Sequence, residues 1–531
     1  MESLKLVQLL YKHIAQNKYY LSTKPTYVKT PSAITAGHPT TLLAAREILE
    51  SGGNAADAAI AAYLTSFVSE PCMASAGAGG FAMVSDANET TVIDFFCQTP
   101  LQKVAADQLH FYPITIDFGT TTEDFHIGRG AAATPGAIAG IYALHELRGT
   151  IPLTDIARAV ATRAKEGVAL DSFQAYDLGL LQAIFRESDK GKEIAYTGDN
   201  LKKEGELIKM PAYADFVETL AIEGPDLFYK GEIAQQLSAD YAHSGGNISY
   251  EDLSRYEAVH RRPLAFGWQG YRVLTTPSPS MGGAIIAAFL STCSSLLSTQ
   301  APTPLSHEHY RLLLRAYDQI NAIKDCPTAL SQYLADHYGL RVDLLPGAAK
   351  WSGTSHLNVT DSDGLSVALT TSIGEGNGYF IPGTDMQMNN MLGEAALLPD
   401  GFHSWKPNSR LRSMMTPTMV RDQSGAVRLV TGTGGAGRIP FAIAQTMLSH
   451  LVLGLSIEEA TQLPRIHVSD GVTHVENGYD TGSTTNVQTW DPGSLYFGGV
   501  GSIAMGSGRL AATGDYRRTG VSWIEGRDSL Q

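Results

Sequence analysis

WSGTSHLNVTDSDGLSVALTTSI, residues Trp351 to Ile373, decides how the rest of the chain is read. A β-rich run reaches Val359, Asp-Ser-Asp-Gly supplies a turn, and a second run rich in Val, Leu and Thr follows, which is the pattern of a hairpin. Thr354 opens the first strand, Ser372 closes the second, and Asp363-Gly364 lies almost midway. Folding therefore brings the two hydroxyls together, to within a one-residue slip or a bulge. A threonine behind Ser352-Gly353 also becomes a chain terminus if the Gly353–Thr354 bond is cut. Its hydroxyl is a poor nucleophile at neutral pH, but a terminal amine titrates near ~8 and takes the proton from its own residue's hydroxyl, directly or through water. Taken alone, Gly-Thr at a strand start is weak evidence, because most such threonines are ordinary strand residues.

Working outward, 531 residues with 44% hydrophobic and 17% charged side chains have the composition of a globular protein. A chain of this length suggests two or three domains, or one composite α/β core. The net charge of −14 disfavours nucleic acid or an anionic membrane as partner, since both reward basic patches. The N-terminal segment MESLKLVQLLYKHIAQNKYYL lacks the features of a secretory signal and points to the cytoplasm. Residues 1–30 read as a short helix and a linker. Cys72, Cys97, Cys293 and Cys326 have neither metal spacing nor a disulfide framework, and are expected to be reduced, buried small residues.

Along the chain, Leu42, Ala45, Ile48 and Leu49 recur at helical spacing before Gly52-Gly53, and Asn54 is placed to cap a second, nearly all-apolar helix to about Phe67. SAGAGGFAMVSD and TVIDFF read as a glycine loop feeding an antiparallel pair joined around Asn88. The region from Ala133 to about residue 245 is mostly helical, with a cap expected at Thr154 and a stop at Gly167; Ser249 heads another capped segment. YRVLTTPSPSMGGAIIAAFLSTC gives a strand, a turn and a buried helix from near Gly283. His307 and His309 lack a third ligand at useful spacing and read as surface histidines rather than a metal site. Asp343 to Gly353, with Pro346 and Gly347, reads as an irregular linker that leaves the Gly353–Thr354 bond reachable.

Four segments, the hairpin among them, stand in order over about 400 residues: HPTTLLAAREILESGGNAADAAIAA, the hairpin itself, PGTDMQMNN, and MMTPTMVRDQSGAVRLVTGTGGAGRI. From His38 to about Leu455 the chain resembles the γ-glutamyltransferase family, N-terminal-nucleophile hydrolases made as proenzymes that cut themselves before a threonine. The resemblance implies an α+β fold, a four-layer αββα sandwich with two stacked, mostly antiparallel sheets. It implies a 1–353 region and a 354–531 region that share one core and stay associated after cleavage. It requires no metal or organic cofactor, and the substrate is a small amide such as a γ-glutamyl compound.

The resemblance also assigns roles. Thr354 matches the nucleophile, Ser372 the hydroxyl that orients it, and Gly435 with Ala436 the backbone N–H pair that holds the oxyanion, alanine standing where a second glycine is usual. Glu394 keeps a carboxylate at the amine-binding position, whereas the preceding acid is lost as Gly393. Phe96 stands where relatives carry a carboxylate-binding arginine, Gly374 where they carry an asparagine, and Leu411-Arg412-Ser413-Met414 where they read Pro-Leu-Ser-Ser. Arg412 is the candidate to restore the lost positive charge. The expected activity is an autoprocessing threonine amidohydrolase or acyltransferase of the γ-glutamyl type. The alternatives are an acylase for a carboxylated, glutaryl-type acyl group, or an uncut, inactive binding protein on the same fold.

Overall fold

The computed structural model describes residues 31–117, 122–297, 300–344, 353–398, 400–506 and 509–527. The helix expected within residues 1–30 and residues 345–352 of the expected linker lie outside them. The expected hairpin forms as Gly353–Thr360 and Ser366–Gly374, and Thr354 stands opposite Ser372 across a bulge at Gly353/Thr354. Asp361 builds the turn: its carboxylate accepts the Asp363 and Leu365 amides at 3.0 Å each, and Gly364 supplies the positive φ of 87°. The other Asp361 oxygen accepts the Ala55 amide at 2.9 Å, which pins the hairpin tip to a helix start.

The hairpin is the centre of a seven-stranded antiparallel sheet. From one edge the order is Val259–Arg261, Thr90–Asp94, Gly79–Ser85, Ser366–Gly374, Gly353–Thr360, Ala33–Ala36, Val521–Ile524. A second antiparallel sheet, ordered Leu264–Trp268, Tyr271–Thr275, Thr418–Arg421, Val427–Gly434, Gly499–Gly506, Arg509–Thr513, packs face to face with it. Both sheets take strands from either side of residue 353.

Side chains alternate across the first sheet as the two-residue period demands. Ala82, Val84, Leu357, Val359, Val367 and Leu369 join the core beneath the helices Pro39–Glu50, Ala55–Ser69, Ala137–Arg148 and Leu153–Glu166. Phe81, Met83 and Ala368 face the other way, into the core shared with the second sheet and the helices Gly282–Leu296, His307–Asn321 and Ile439–Leu451. The result is the four-layer αββα sandwich.

Between the sheets the hairpin is polar. His356 shares hydrogen bonds with Thr370 Oγ1 at 2.8 Å and Asn358 Oδ1 at 3.0 Å, and Asn358 donates to Thr35 Oγ1 and the Gly501 carbonyl. Burial without such partners is costly, so the stripe is a satisfied network, and burial pushes the His356 pKa down to about 4. Gly432 admits the imidazole, because a Cβ there would lie 2.2 Å from its Cε1.

Local expectations hold at Asn54 and Ser249, both of which form capping boxes. Three do not. The helix Leu153–Glu166 starts one residue before Thr154, with Pro152 at the cap and no side-chain bond. Cys326 is exposed, unlike Cys72, Cys97 and Cys293. His309 is buried and its Nδ1 accepts the Leu305 amide, so it closes a helix start instead of facing solvent. Among the described residues no group of His, Cys, Asp or Glu is placed to hold a metal, and no helix is long and apolar enough to cross a membrane.

Candidate active site

Thr354 sits where the polar stripe reaches the end of the sandwich, and it lines two clefts. One, with about 290 Å³ of empty space including its mouth, is bounded by Phe96, Ser372, Met391, Glu394 and Leu397 on one side and by Ser413, Met414, Met415, Ala436 and Ile439 on the other. Seven of the residues singled out in the sequence therefore meet at one place: Thr354, Ser372, Phe96, Glu394, Ser413, Met414 and Ala436. The other cleft lies among Gly37, Glu70, Ser355, Gly434 and Arg518.

Ser372 Oγ donates to the Gly353 carbonyl oxygen at 2.7 Å and accepts the Gly374 amide at 2.9 Å. The carbonyl of the residue before Thr354 is thus held by a hydroxyl. Gly353 has no room for a side chain, since a Cβ would lie 2.5 Å from the Gly374 carbonyl and 2.7 Å from that of Cys72. Its amide donates to Glu375 Oε2 at 3.2 Å.

The glycine loop after strand Val427–Gly434 brings backbone close to the nucleophile strand. At Gly434 a Cβ would lie 2.1 Å from the Thr354 carbonyl oxygen. Gly435 has φ 126°, open to glycine alone. Ala436 has φ 52°, so the loop does not relax to accommodate the alanine; the residue takes the left-handed conformation at a cost of about 1–2 kcal/mol.

The expected charged groups are placed as follows. Phe96 is buried and stacks on Phe81, with ring centroids 5.8 Å apart, so an aromatic wall stands where a cation was in question. Arg412 does not line the pocket. It is partly buried, burial lowers its pKa, and Asp400 is the charge that opposes this. It therefore does not supply the missing positive charge at Thr354. Arg410 lies behind Phe96, donating to its carbonyl and facing Asp94 at 3.6 Å. Among the described residues no Lys, Arg or His lines the Phe96–Glu394 pocket. Glu394 is 4% exposed, its Oε1 has no hydrogen-bond partner among the described residues, and burial, with Glu375 and Glu123 adding to it, raises its pKa well above the carboxylate range. Gly374, with φ 68°, passes so close beneath it that a Cβ would meet Asn390 Oδ1 at 2.1 Å and Glu394 Oε1 at 2.4 Å. That is a steric reason for glycine there.

The sequence reading missed Glu375, Glu70 and Arg518 beside the Gly353–Thr354 bond, and Asp177, whose charge bears on Glu375 and Arg518. Glu375 is buried and its pKa rises to about 8, chiefly through burial and then the nearby Asp177. Glu70, at the C-cap of an apolar helix, accepts hydroxyl bonds from Ser355 at 2.5 Å and Thr41 at 2.8 Å, yet burial still lifts it to about 7. Asp177 is likewise raised to about 7 by burial. Arg518 is buried and its Nη1 donates to the Thr354 carbonyl oxygen at 3.4 Å. A glutamate between glycines and another ending an alanine-rich helix were the available signals; nothing local points to Arg518.

The profile of the Gamma-glutamyltranspeptidase family matches residues 42–347 and 313–524. The Glutathione hydrolase proenzyme of Escherichia coli (strain K12) is 28% identical over 458 residues, 79% of this chain and 78% of its own. The Acylase ACY 1 proenzyme of Pseudomonas sp. (strain V22) is 26% identical over 470 residues, 83% of each chain. Cephalosporin acylase from Bacillus halodurans shares the fold, with a TM-score of 0.80 at 22% identity over 95% of this chain and 97% of that one. With its profile matched along most of the chain and the sandwich present, the protein belongs to the gamma-glutamyltranspeptidase family of N-terminal-nucleophile hydrolases.

Proposed function

We propose that the protein cuts its own Gly353–Thr354 bond and then works as a threonine amidohydrolase on γ-glutamyl or closely related amides. The observation that carries this is that Thr354 lines both clefts, one residue after a carbonyl already held by Ser372 Oγ. In self-cleavage, Thr354 Oγ attacks the Gly353 carbonyl carbon while the Ser372 hydroxyl stabilises the charge growing on its oxygen. The Thr354 nitrogen leaves with a proton, and water hydrolyses the resulting ester to a Gly353 carboxylate and a free α-amine.

In turnover, that amine takes the proton of the Thr354 hydroxyl as Oγ attacks the substrate carbonyl. The Gly435 and Ala436 amides hold the oxyanion, a contribution worth about 3–4 kcal/mol for one such donor elsewhere. The amine then protonates the leaving nitrogen. The acyl-enzyme passes to water, or to an amine acceptor in the transferase mode. Support for a glutamyl group comes from Glu394, a buried carboxyl whose Oε1 has no hydrogen-bond partner among the described residues, and from the glutathione hydrolase named among the relatives. A second reading, an acylase for a glutaryl-type group, is favoured by Phe96 in the cation's place and by the acylase relatives.

Denaturing electrophoresis of the purified protein is expected to show pieces of 353 and 178 residues, the latter being 531 minus 353. Thr354→Ala is expected to stay at full length and to lose at least about 1,000-fold in anilide hydrolysis. Cleavage or turnover surviving that substitution refutes the mechanism. Release of aniline from γ-glutamyl anilide against glutaryl anilide separates the two specificities, and a clear preference for glutaryl sinks the glutamyl one.

A further inference from the structure

We propose that Glu375 is a positioning residue for self-cleavage: with Ser372 it clamps both polar groups of the Gly353 backbone and so presents the Gly353 carbonyl to Thr354 Oγ. The inference rests on the self-cleavage proposed above and adds a residue that serves that reaction alone. Gly353 N donates to Glu375 Oε2 at 3.2 Å, and the Gly353 carbonyl oxygen accepts from Ser372 Oγ at 2.7 Å. The residue before the bond to be cut is therefore held at its nitrogen by one side chain and at its oxygen by another. Its α-carbon is confined between the carbonyls of Gly374 and Cys72, where a Cβ would lie 2.5 and 2.7 Å away.

The strand end is shaped to bring both side chains to one residue. Gly353 pairs with Gly374 and Thr354 with Ser372, which leaves Ile373 as an extra residue in the ladder. A bulge of this kind re-aims the side chains around it. Gly374, with φ 68°, and Gly376, with φ 80°, then fold the chain back on either side of Glu375. The Ile373 carbonyl accepts the Asn390 amide at 3.2 Å and Asn390 Oδ1 accepts the Glu375 amide at 2.8 Å, so the base of the side chain is fixed. Glu375 is buried, and burial holds its carboxyl neutral up to about pH 8. A neutral acid still accepts through its carbonyl oxygen, so the bond to Gly353 needs no charge. The clamp answers a problem that the sequence sets at this point. Only glycine fits at residue 353, yet glycine is the residue whose backbone orientation is least restrained. An attack within one chain depends on alignment, and a misplacement of about 1 Å lowers such a rate on the order of 100-fold. Two side-chain bonds supply the alignment that a Cβ cannot. In turnover the substrate occupies the pocket lined by Phe96, Ser372 and Glu394, to which Glu375 does not belong. Glu375 thus bears on cutting and leaves turnover alone.

Cutting is read as loss of full-length chain on denaturing gels during a chase after cell-free translation. Glu375→Gln keeps a carbonyl oxygen at the same reach and is expected to cut within about threefold of the wild-type rate. Glu375→Leu removes the acceptor and Glu375→Asp falls one methylene short; both should cut at least about 10-fold more slowly, Glu375→Asp carrying the test where Glu375→Leu does not fold. Each variant, once matured by long incubation, should keep kcat and KM within about twofold of wild type on whichever anilide the wild type hydrolyses faster. A general loss of structure would move those constants as well. Hydroxylamine opens an ester but not a peptide bond, so it should not restore the slow variants, because the clamp assists the attack and not the ester hydrolysis. Wild-type rates in both Glu375→Leu and Glu375→Asp overturn the proposal, as do equal slowing in Glu375→Gln, rescue by hydroxylamine, or turnover that falls in step with cutting. A wild-type protein that does not cut refutes the threonine mechanism instead, and the two failures are thereby told apart.

Discussion

Glu70 shows how far a residue's setting moves its chemistry. It is 1% exposed, with its charge supported only by hydroxyls from Thr41 and Ser355, and its pKa rises from 4.5 to about 7. A folded-state pKa above the unfolded one means that the folded protein binds more protons between pH 4.5 and about 7. The group's contribution is therefore fully present below pH 4.5 and lost as pH rises through 7. Glu70→Gln cannot ionise, so at pH 8 its melting temperature should exceed that of the wild type, with a free-energy difference on the order of 2–3 kcal/mol. At pH 4.5 the advantage should vanish. Melting curves at both pH values check this, and a difference independent of pH would show that Glu70 ionises normally. At this scale the sequence named Thr354 and Ser372 correctly as a facing pair, because strand register follows from turn position. It did not reveal Glu70, Glu375, Asp177 or Arg518, whose distances from Thr354 along the chain carry no local pattern.

At the scale of elements, the hairpin and the helix Ala55–Ser69 are coupled through one side chain. Asp361 closes the turn and also accepts the Ala55 amide, one of the donors that a helix start leaves unpaired. Asp361→Ala leaves three amides without this acceptor and is expected to destabilise the protein by about 2–4 kcal/mol, read as a lower urea midpoint with an unchanged slope. A loss under about 0.5 kcal/mol would mean that water replaces the carboxylate. Most element boundaries were legible: Gly52-Gly53, Asn54 and Ser249 are stop and cap signals with a local cause. The strand pair Tyr112–Asp117 and Thr122–Ile127 was not read, since it alternates weakly and ends against loops distant in sequence. Pro152 likewise displaced the expected cap at Thr154, its ring fixing φ at a value suited to the helix entry.

For the whole molecule, the sheets interleave the two regions divided at residue 353. Gly353–Thr360 lies between Ala33–Ala36 and Ser366–Gly374, and Ser366–Gly374 in turn pairs with Gly79–Ser85. Cleavage removes one covalent bond and none of these ladders. The two pieces should therefore migrate together in size exclusion without denaturant and separate only when unfolded; two independent peaks under native conditions would refute a shared core. What the sequence determined by itself was everything that repeats or acts locally: strand alternation, caps, turns, the facing hydroxyls, and a motif order long enough to reveal the family. Only the tertiary structure decided that Arg412 stays out of the pocket, that Ala436 adopts a left-handed backbone, and that Glu70, Glu375 and Arg518 are buried beside the Gly353–Thr354 bond. Those outcomes depend on which atoms meet after strands hundreds of residues apart are stacked, and on how much water is excluded there, and neither quantity is written in any local stretch of the chain.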